Sequence, residues 1–117
     1  MVSSAVVVTV HLEHLRHNLR VLRMRRPLLM PVIKADAYGH GVEVVAQVLA
    51  EEGIGHMAVG TVEEGALLRD KGHDAFLLAL LGPTCDEDAA LAVACRVTPL
   101  VHDAESLARR NVSARCR

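Results

Sequence analysis

The residues best suited to chemistry lie together in the stretch Pro31–Gly41, in which Lys34 ends a short apolar run and Tyr38 follows. A continuous apolar run predicts a buried strand, so Lys34 would lie at the strand's carboxyl end, where α/β proteins place reactive groups. Exclusion of water favours the neutral amine, the form that attacks a carbonyl group to make a Schiff base. The stretch therefore predicts a nucleophilic lysine. The alternative interpretation is a solvated or ion-paired lysine.

Two glycines around a histidine complete this stretch and make it recognisable. The block resembles the cofactor-lysine signature of alanine racemases, fold-type III enzymes that use pyridoxal 5'-phosphate (PLP). The residues that match the signature are Lys34, Tyr38, Gly39, His40 and Gly41. The resemblance implies that Lys34 is the catalytic Schiff-base lysine and one of the two acid/base groups of a racemase.

The resemblance also implies a set of cofactor-binding residues, which are Lys34, Tyr38 and Leu81. Tyr38 would direct its hydroxyl toward the cofactor phosphate, and Leu81 matches an apolar position that lines the cofactor. The structural alternatives are a packed ring for Tyr38 and plain core for Leu81. For His40 the sequence leaves open whether the ring touches the cofactor or only orders the turn. Asp36 is expected to hydrogen-bond within the turn.

The elements that must position these residues alternate between strand and helix, the pattern of βα units on a parallel sheet. Strands are predicted at Ala5–Val10, Leu28–Lys34, His56–Gly60, Phe76–Leu81 and Arg96–Val101. Helices are predicted from Leu12 to before Pro27, from Gly41 to about Glu52, from Val62 to about Lys71, from Thr84 to about Ala94, and after Asp103. Two T-x-x-E patterns, beginning at Thr61 and Thr84, predict capping boxes. Periodicity alone does not separate an open doubly wound sheet from a barrel.

The resemblance selects the barrel. It implies an α/β fold in which parallel βα repeats form about half of a TIM-type (β/α)8 barrel, preceded by one extra strand and helix. Residues 1–117 would be the N-terminal, incomplete part of the barrel domain, without the family's C-terminal β domain. The tail Ala108–Arg117 has four arginines and no acidic residue, and we do not expect it to form the next core element. A truncated chain or a shortened reading frame would explain that tail.

Composition limits the possible partners and location. The net charge of −1 gives no electrostatic argument for binding nucleic acid or an anionic membrane. No stretch predicts a membrane span, and Met1–Val10 lacks the features of a signal peptide. The three cysteines have no CxxC spacing, so neither a disulfide framework nor a metal site is indicated. We therefore expect a cytoplasmic protein without nucleic-acid, membrane or metal partners, in which His11, His14 and His17 form a solvated helix face.

The function implied by the resemblance is PLP-dependent interconversion of L-alanine and D-alanine, which supplies D-alanine for peptidoglycan. In that family the full-length enzyme is a homodimer and the second base is a tyrosine of the partner subunit. No tyrosine follows Tyr38, and the arginine that meets the pyridine nitrogen has no counterpart here. The chain alone is therefore expected to be inactive and prone to self-association. The alternatives are a racemase of serine or another amino acid, a non-catalytic PLP-binding barrel protein, and an inert remnant.

Overall fold

A parallel sheet of three strands forms the centre of the chain. In the computed structural model, which describes residues 5–115 and their side chains to residue 109, the strands are β1 (His56–Val59), β2 (Phe76–Ala79) and β3 (Val97–Pro99). They lie in the order β1–β2–β3 and pair in parallel. The segment before Lys34 joins the free edge of β1 through a parallel bridge between Val32 and Ala58.

Helical segments connect and flank the strands. They are α1 (Leu12–Arg25), the five-residue turn α2 (Lys34–Tyr38), α3 (Val42–Glu51), α4 (Val62–Asp70), α5 (Asp86–Ala94) and α6 (Ala104–Arg115). The predicted capping box of α4 is confirmed, since Thr61 Oγ1 accepts from the Glu64 N–H at 3.2 Å and the Glu64 carboxylate accepts from the Thr61 N–H. Gly72, with φ +86°, ends that helix as predicted.

The two faces of the sheet differ in burial. Residues in register across parallel strands share a face, and the row Met57, Leu77, Val97 is buried to 3% exposure or less. The opposite face carries the row Val32, Ala58, Leu78 and Thr98, in which Ala58 is buried but Leu78 and Thr98 are partly exposed and Val32 is 39% exposed. Helices therefore cover one face, and the other is the face that a closed barrel would enclose.

The predicted α/β class with parallel βα units is confirmed. The extra strand predicted at Ala5–Val10 is wrong: these residues form no strand, and Val6, Val7 and Val8 are 79–90% exposed. A strand exists only through pairing, and β-branched residues supply the propensity without the partner. Leu28–Lys34 is reduced to the single bridge at Val32 for the same reason.

Two details of the predicted helices are also corrected. Thr84 does not form a capping box with Glu87, because its hydroxyl and its N–H both donate to the Asp88 carboxylate. The N-cap of α5 is Cys85, one residue after the predicted Thr84. The helix α6 begins after Asp103, whose Oδ1 accepts from the Ser106 N–H at 2.8 Å, as predicted. It continues to Arg115 and thus extends into the tail, while Cys116 and Arg117 lie outside the described residues.

Helix α1 docks on α3 through charged side chains. The Arg16 guanidinium contacts Glu51 at 2.5 Å and Glu52 at 3.3 Å, and Arg20 contacts Glu52 at 2.7 Å. The helix also contributes apolar contacts, since Leu12, Leu15 and Leu19 pack against the core, whereas Leu22 is 52% exposed. Within residues 5–115, each helix is too short or too polar to cross a membrane.

Candidate functional site

Lys34 lies at the carboxyl end of the parallel segments, as predicted. The residue before it, Ile33, is 3% exposed and donates its N–H to the Ala58 carbonyl at 2.8 Å, which ties the segment to β1. Gly60 follows β1 directly beside Lys34, because a Cβ placed on Gly60 would lie 3.4 Å from the Lys34 Cβ. The stem of Lys34 therefore leaves the edge of the sheet against a residue without a side chain.

The chain turns with a left-handed backbone immediately after Lys34. Four consecutive residues here have φ between +50° and +57°: Ala35, Asp36, Ala37 and Tyr38. Such a conformation costs about 1–2 kcal/mol for each non-glycine residue, so it persists only where neighbouring contacts determine it. Ala37, whose side chain is 5% exposed, packs into the core and supplies one of those contacts.

Side chains within the segment supply further contacts. Asp36 Oδ1 accepts from the Val42 N–H at 2.8 Å, which confirms the expected local role of Asp36 and satisfies the first turn of α3. His40 Nδ1 lies 2.8 Å from the Ala37 carbonyl oxygen, so Nδ1–H donates to it. Of the two roles that the sequence left open for His40, the structure shows the ordering of the turn.

Glu64 holds the turn from another βα unit. Its Oε1 accepts from the Ala35 N–H at 3.0 Å, and its Oε2 accepts from the Gly60 N–H at 2.5 Å and the Thr61 N–H at 3.4 Å. The T-x-x-E pattern indicated the capping bonds only. The bond to Ala35 was missed, because it depends on the pairing of Val32 with Ala58, which brings residues 29 positions apart together.

Leu81 lies at the same edge as Lys34. Its N–H donates to the Gly60 carbonyl at 2.8 Å, so Gly60 separates the two predicted site residues. Leu81 is 58% exposed, which is inconsistent with plain core packing in the described part of the chain. An exposed leucine at this edge offers an apolar surface to a bound group.

Tyr38 ends the left-handed turn and is 60% exposed, so the alternative of a packed ring is not supported. It borders an open cleft of about 380 Å³ that is lined by residues 8–11 and the amino-terminal part of α1. Lys34 does not line this cleft. The structure thus brings Lys34 and Leu81 to one edge, with Tyr38 on the turn that follows.

Lys34 is exposed in the described part of the chain, so the exclusion of water that the sequence predicts around it is not found. Among the residues described, the sheet face opposite the helices has no further strands across from it, so this edge is open to solvent.

The side-chain types at this edge and on the turn that follows it are suited to PLP. An accessible primary amine can bond to the aldehyde, a phenolic hydroxyl can donate to the phosphate, and a leucine can pack against the ring. Gly60 leaves open the space that a Cβ would fill beside Lys34. In the same described region, no three His, Cys, Asp or Glu side chains come together as metal ligands.

Sequence comparison with known proteins finds alanine racemases. The profile of the family described as "Alanine racemase, N-terminal domain" matches residues 10–116. The alanine racemase of Lawsonia intracellularis is 62% identical over 107 residues, a match that covers 92% of this chain and 28% of that protein. The alanine racemase of Nitratidesulfovibrio vulgaris, strain DSM 19637 / Miyazaki F, is 46% identical over 102 residues and is covered to 27% of its length.

Solved structures give the same result. The alanine racemase of Clostridium difficile 630 superposes with a TM-score of 0.80 and 34% identity, covering 89% of this chain and 28% of that one. A histidine racemase from Leuconostoc mesenteroides superposes with a TM-score of 0.79 and 25% identity, covering 89% of this chain and 28% of that one. The chain thus spans about 28% of the length of these relatives.

Proposed function

The chain belongs to the alanine racemase N-terminal domain family, and from this premise we propose that it carries the lysine side of a PLP-dependent racemase that interconverts L-alanine and D-alanine. The observation that carries the proposal is the placement of Lys34. It is accessible at the carboxyl edge of a parallel sheet, while Ile33 before it and Ala37 after it are buried. The backbone is thus fixed on both sides of an accessible amine.

The cofactor, when bound, withdraws electrons from the substrate's α-carbon and so weakens its C–H bond. The chain's part is to hold the cofactor through Lys34 Nζ and to move a proton at that atom on one face of the α-carbon. Tyr38 donates its hydroxyl to the phosphate, and Leu81 packs against the ring. Racemisation also needs a proton donor on the opposite face, and we assign that group to the partner subunit of a cytoplasmic homodimer.

A second candidate is a racemase of another amino acid, such as serine. It is supported by the histidine racemase, whose corresponding portion superposes on this chain about as well as that of the alanine racemase. The portion that this chain shares with both racemases therefore does not separate the substrates. A panel of L-amino acids tested with the complete enzyme distinguishes these two candidates.

The cofactor assignment is tested by trapping. The chain is incubated with PLP and reduced with borohydride, and the modified peptide is identified by mass spectrometry. Lys34 and Lys71 are the chain's lysines, and Lys71, ion-paired with Glu43 at 3.2 Å, is the matched control. We expect the adduct on Lys34, retained in Lys71→Ala and lost in Lys34→Ala. An adduct of equal yield in Lys34→Ala rejects the assignment.

The assignment of the second proton donor to a partner subunit is tested with the 117-residue chain saturated with PLP in deuterated water. With Lys34 on one face only, we expect slow exchange of the alanine α-proton without inversion, because the opposite proton donor is missing. Inversion at the rate of an ordinary enzyme, about 1 per second or faster, contradicts the assignment of that donor to a partner.

A further inference from the structure

We propose that Glu64 is the positioning residue of this site, because its carboxylate fixes the left-handed turn that carries Lys34 and Tyr38. The inference rests on the proposed function, since it assigns a role within the same site. In a capping box, the N3 carboxylate accepts the N-cap N–H and its role ends there. Here Glu64 performs that role toward Thr61 and also accepts from Gly60 and Ala35.

The bond to Ala35 acts where the turn begins. The Ala35 N–H belongs to the peptide unit that joins Lys34 to Ala35, and Ala35 is the first residue with positive φ. The other hydrogen bonds described on residues 34–41 have their partners within residues 33–45. Glu64 is therefore the group that ties the turn to a neighbouring strand end.

The position of the carboxylate is itself constrained. Glu64 is partly buried, and a Cβ on Gly60 would lie 3.0 Å from its Oε2. A carboxylate that accepts several backbone N–H groups makes charge-assisted bonds, which are stronger than those between neutral groups. Glu64 thus bridges the Lys34 turn and the end of β1 with an acceptor that a neutral side chain cannot reproduce.

Loss of the bridge removes a restraint on a backbone that is unfavourable for four consecutive non-glycine residues. The turn then samples right-handed and extended conformations, and the Lys34 amine loses its fixed relation to the Tyr38 hydroxyl. Cofactor uptake must restore that order, so the half-saturating concentration of PLP rises. A purely structural role in capping α4 would lower stability without this effect.

The test compares three variants of the chain. Glu64→Gln keeps the shape but has one acceptor oxygen, so it cannot bridge Ala35 and Gly60. Thr61→Ala removes the other half of the capping box and leaves the bond to Ala35 in place. Glu63→Gln makes the same charge change at the neighbouring exposed position. The two readouts are amide hydrogen exchange of residues 35–38 by NMR and the PLP concentration that half-saturates the Lys34 adduct.

We expect the Ala35 amide to exchange about tenfold faster in Glu64→Gln, and the half-saturating PLP concentration to rise about tenfold. In Thr61→Ala and Glu63→Gln, both values should stay within about twofold of those of the unsubstituted chain. Unchanged exchange in Glu64→Gln, or an equal effect in Thr61→Ala, overturns the inference. If Glu64→Gln does not fold, the unsubstituted chain decides, because an Ala35 amide that exchanges at the free-peptide rate also overturns it. If no adduct forms on Lys34, the proposed function fails while the exchange arm still tests Glu64.

Discussion

Tyr38 shows how exposure separates a binding role from a packing role. The side chain is 60% exposed, so little of its ring contributes to the core, and the hydroxyl can be removed without opening a cavity. The assignment to the cofactor phosphate remains a proposal. It makes a definite prediction for affinity, because a hydrogen bond to a charged group contributes more than one between neutral groups.

We expect Tyr38→Phe to weaken PLP binding by roughly 1.5–3 kcal/mol, while the free energy of unfolding without cofactor stays within about 0.5 kcal/mol. Titration of the Lys34 adduct against PLP concentration measures the first quantity, and urea denaturation measures the second. Equal affinity in the two proteins would show that the hydroxyl does not reach the phosphate.

Ala35 provides a test of the backbone conformation itself. It is exposed and has φ +50°, so glycine at this position removes about 1–2 kcal/mol of conformational strain from the folded chain. Glycine also gives the unfolded chain more conformational entropy, which offsets about 0.5–1 kcal/mol of that gain. We expect Ala35→Gly to stabilise the chain by about 0.5–1 kcal/mol in urea denaturation. Ala90→Gly, at an exposed position within α5, is the control and should destabilise by about 1 kcal/mol. Destabilisation in both variants argues against a left-handed turn.

The helices and strands depend on contacts between elements that single residues do not reveal. Gly65 lies in α4 where that helix meets β3, and a Cβ on it would lie 2.7 Å from Val97 Cγ2 and 3.0 Å from Val97 Cγ1. Real Cβ atoms do not approach other side chains so closely, so the helix sits on the strand because this residue is a glycine.

We expect Gly65→Ala to lower the free energy of unfolding by about 1–3 kcal/mol through overpacking. The matched control is Gly55→Ala, since a Cβ on Gly55 meets no atom within 4 Å and its φ is not in the left-handed region. Thermal or urea denaturation of both variants provides the measurement. A neutral Gly65→Ala would show that α4 can move away from β3 at little cost.

Elements with local signals were predictable from the sequence, and those that depend on distant partners were not. The capping box at Thr61 and the glycine at position 72 correctly predicted the two ends of α4. The left-handed backbone of the turn after Lys34 was not predicted, because L-residues favour the right-handed region and the anchor of the turn, Glu64, lies 29 positions from Ala35. Ala5–Val10 has strand propensity but no partner among residues 5–115, so propensity alone predicted a strand that is not formed.

At the scale of the whole molecule, ion pairs between α1 and α3 add to the apolar contacts by which α1 packs on the core. The Arg20 guanidinium lowers the pKa of Glu52, with a further contribution from Arg16, and Arg16 lowers the pKa of Glu51 with help from Gln47. A carboxyl whose pKa is lowered by folding stabilises the fold above its ordinary value, near 4.5 here, and that contribution is lost as the pH falls through the lowered pKa.

We therefore expect the free energy of unfolding to decrease as the pH falls below about 4.5, and to do so less steeply in Glu52→Gln. Urea denaturation between neutral pH and pH 3 measures both curves. Glu43→Gln, which removes an exposed pair with Lys71, is the control and should keep the slope of the unsubstituted chain. An identical slope in Glu52→Gln would mean that α1 does not dock through this carboxylate.

The anchoring of the left-handed turn determines whether the lysine signature can be transplanted. Residues 31–41 contain the sequence signature, but their conformation depends on Glu64 and Gly60 of the next βα unit. We expect the free peptide to revert to right-handed or extended backbone, because it lacks the bond from Glu64 and the core contacts of Ala37. A graft into another barrel must therefore include Gly60 and Glu64 along with the signature, and an antibody raised against the linear segment would recognise the unfolded chain rather than the site.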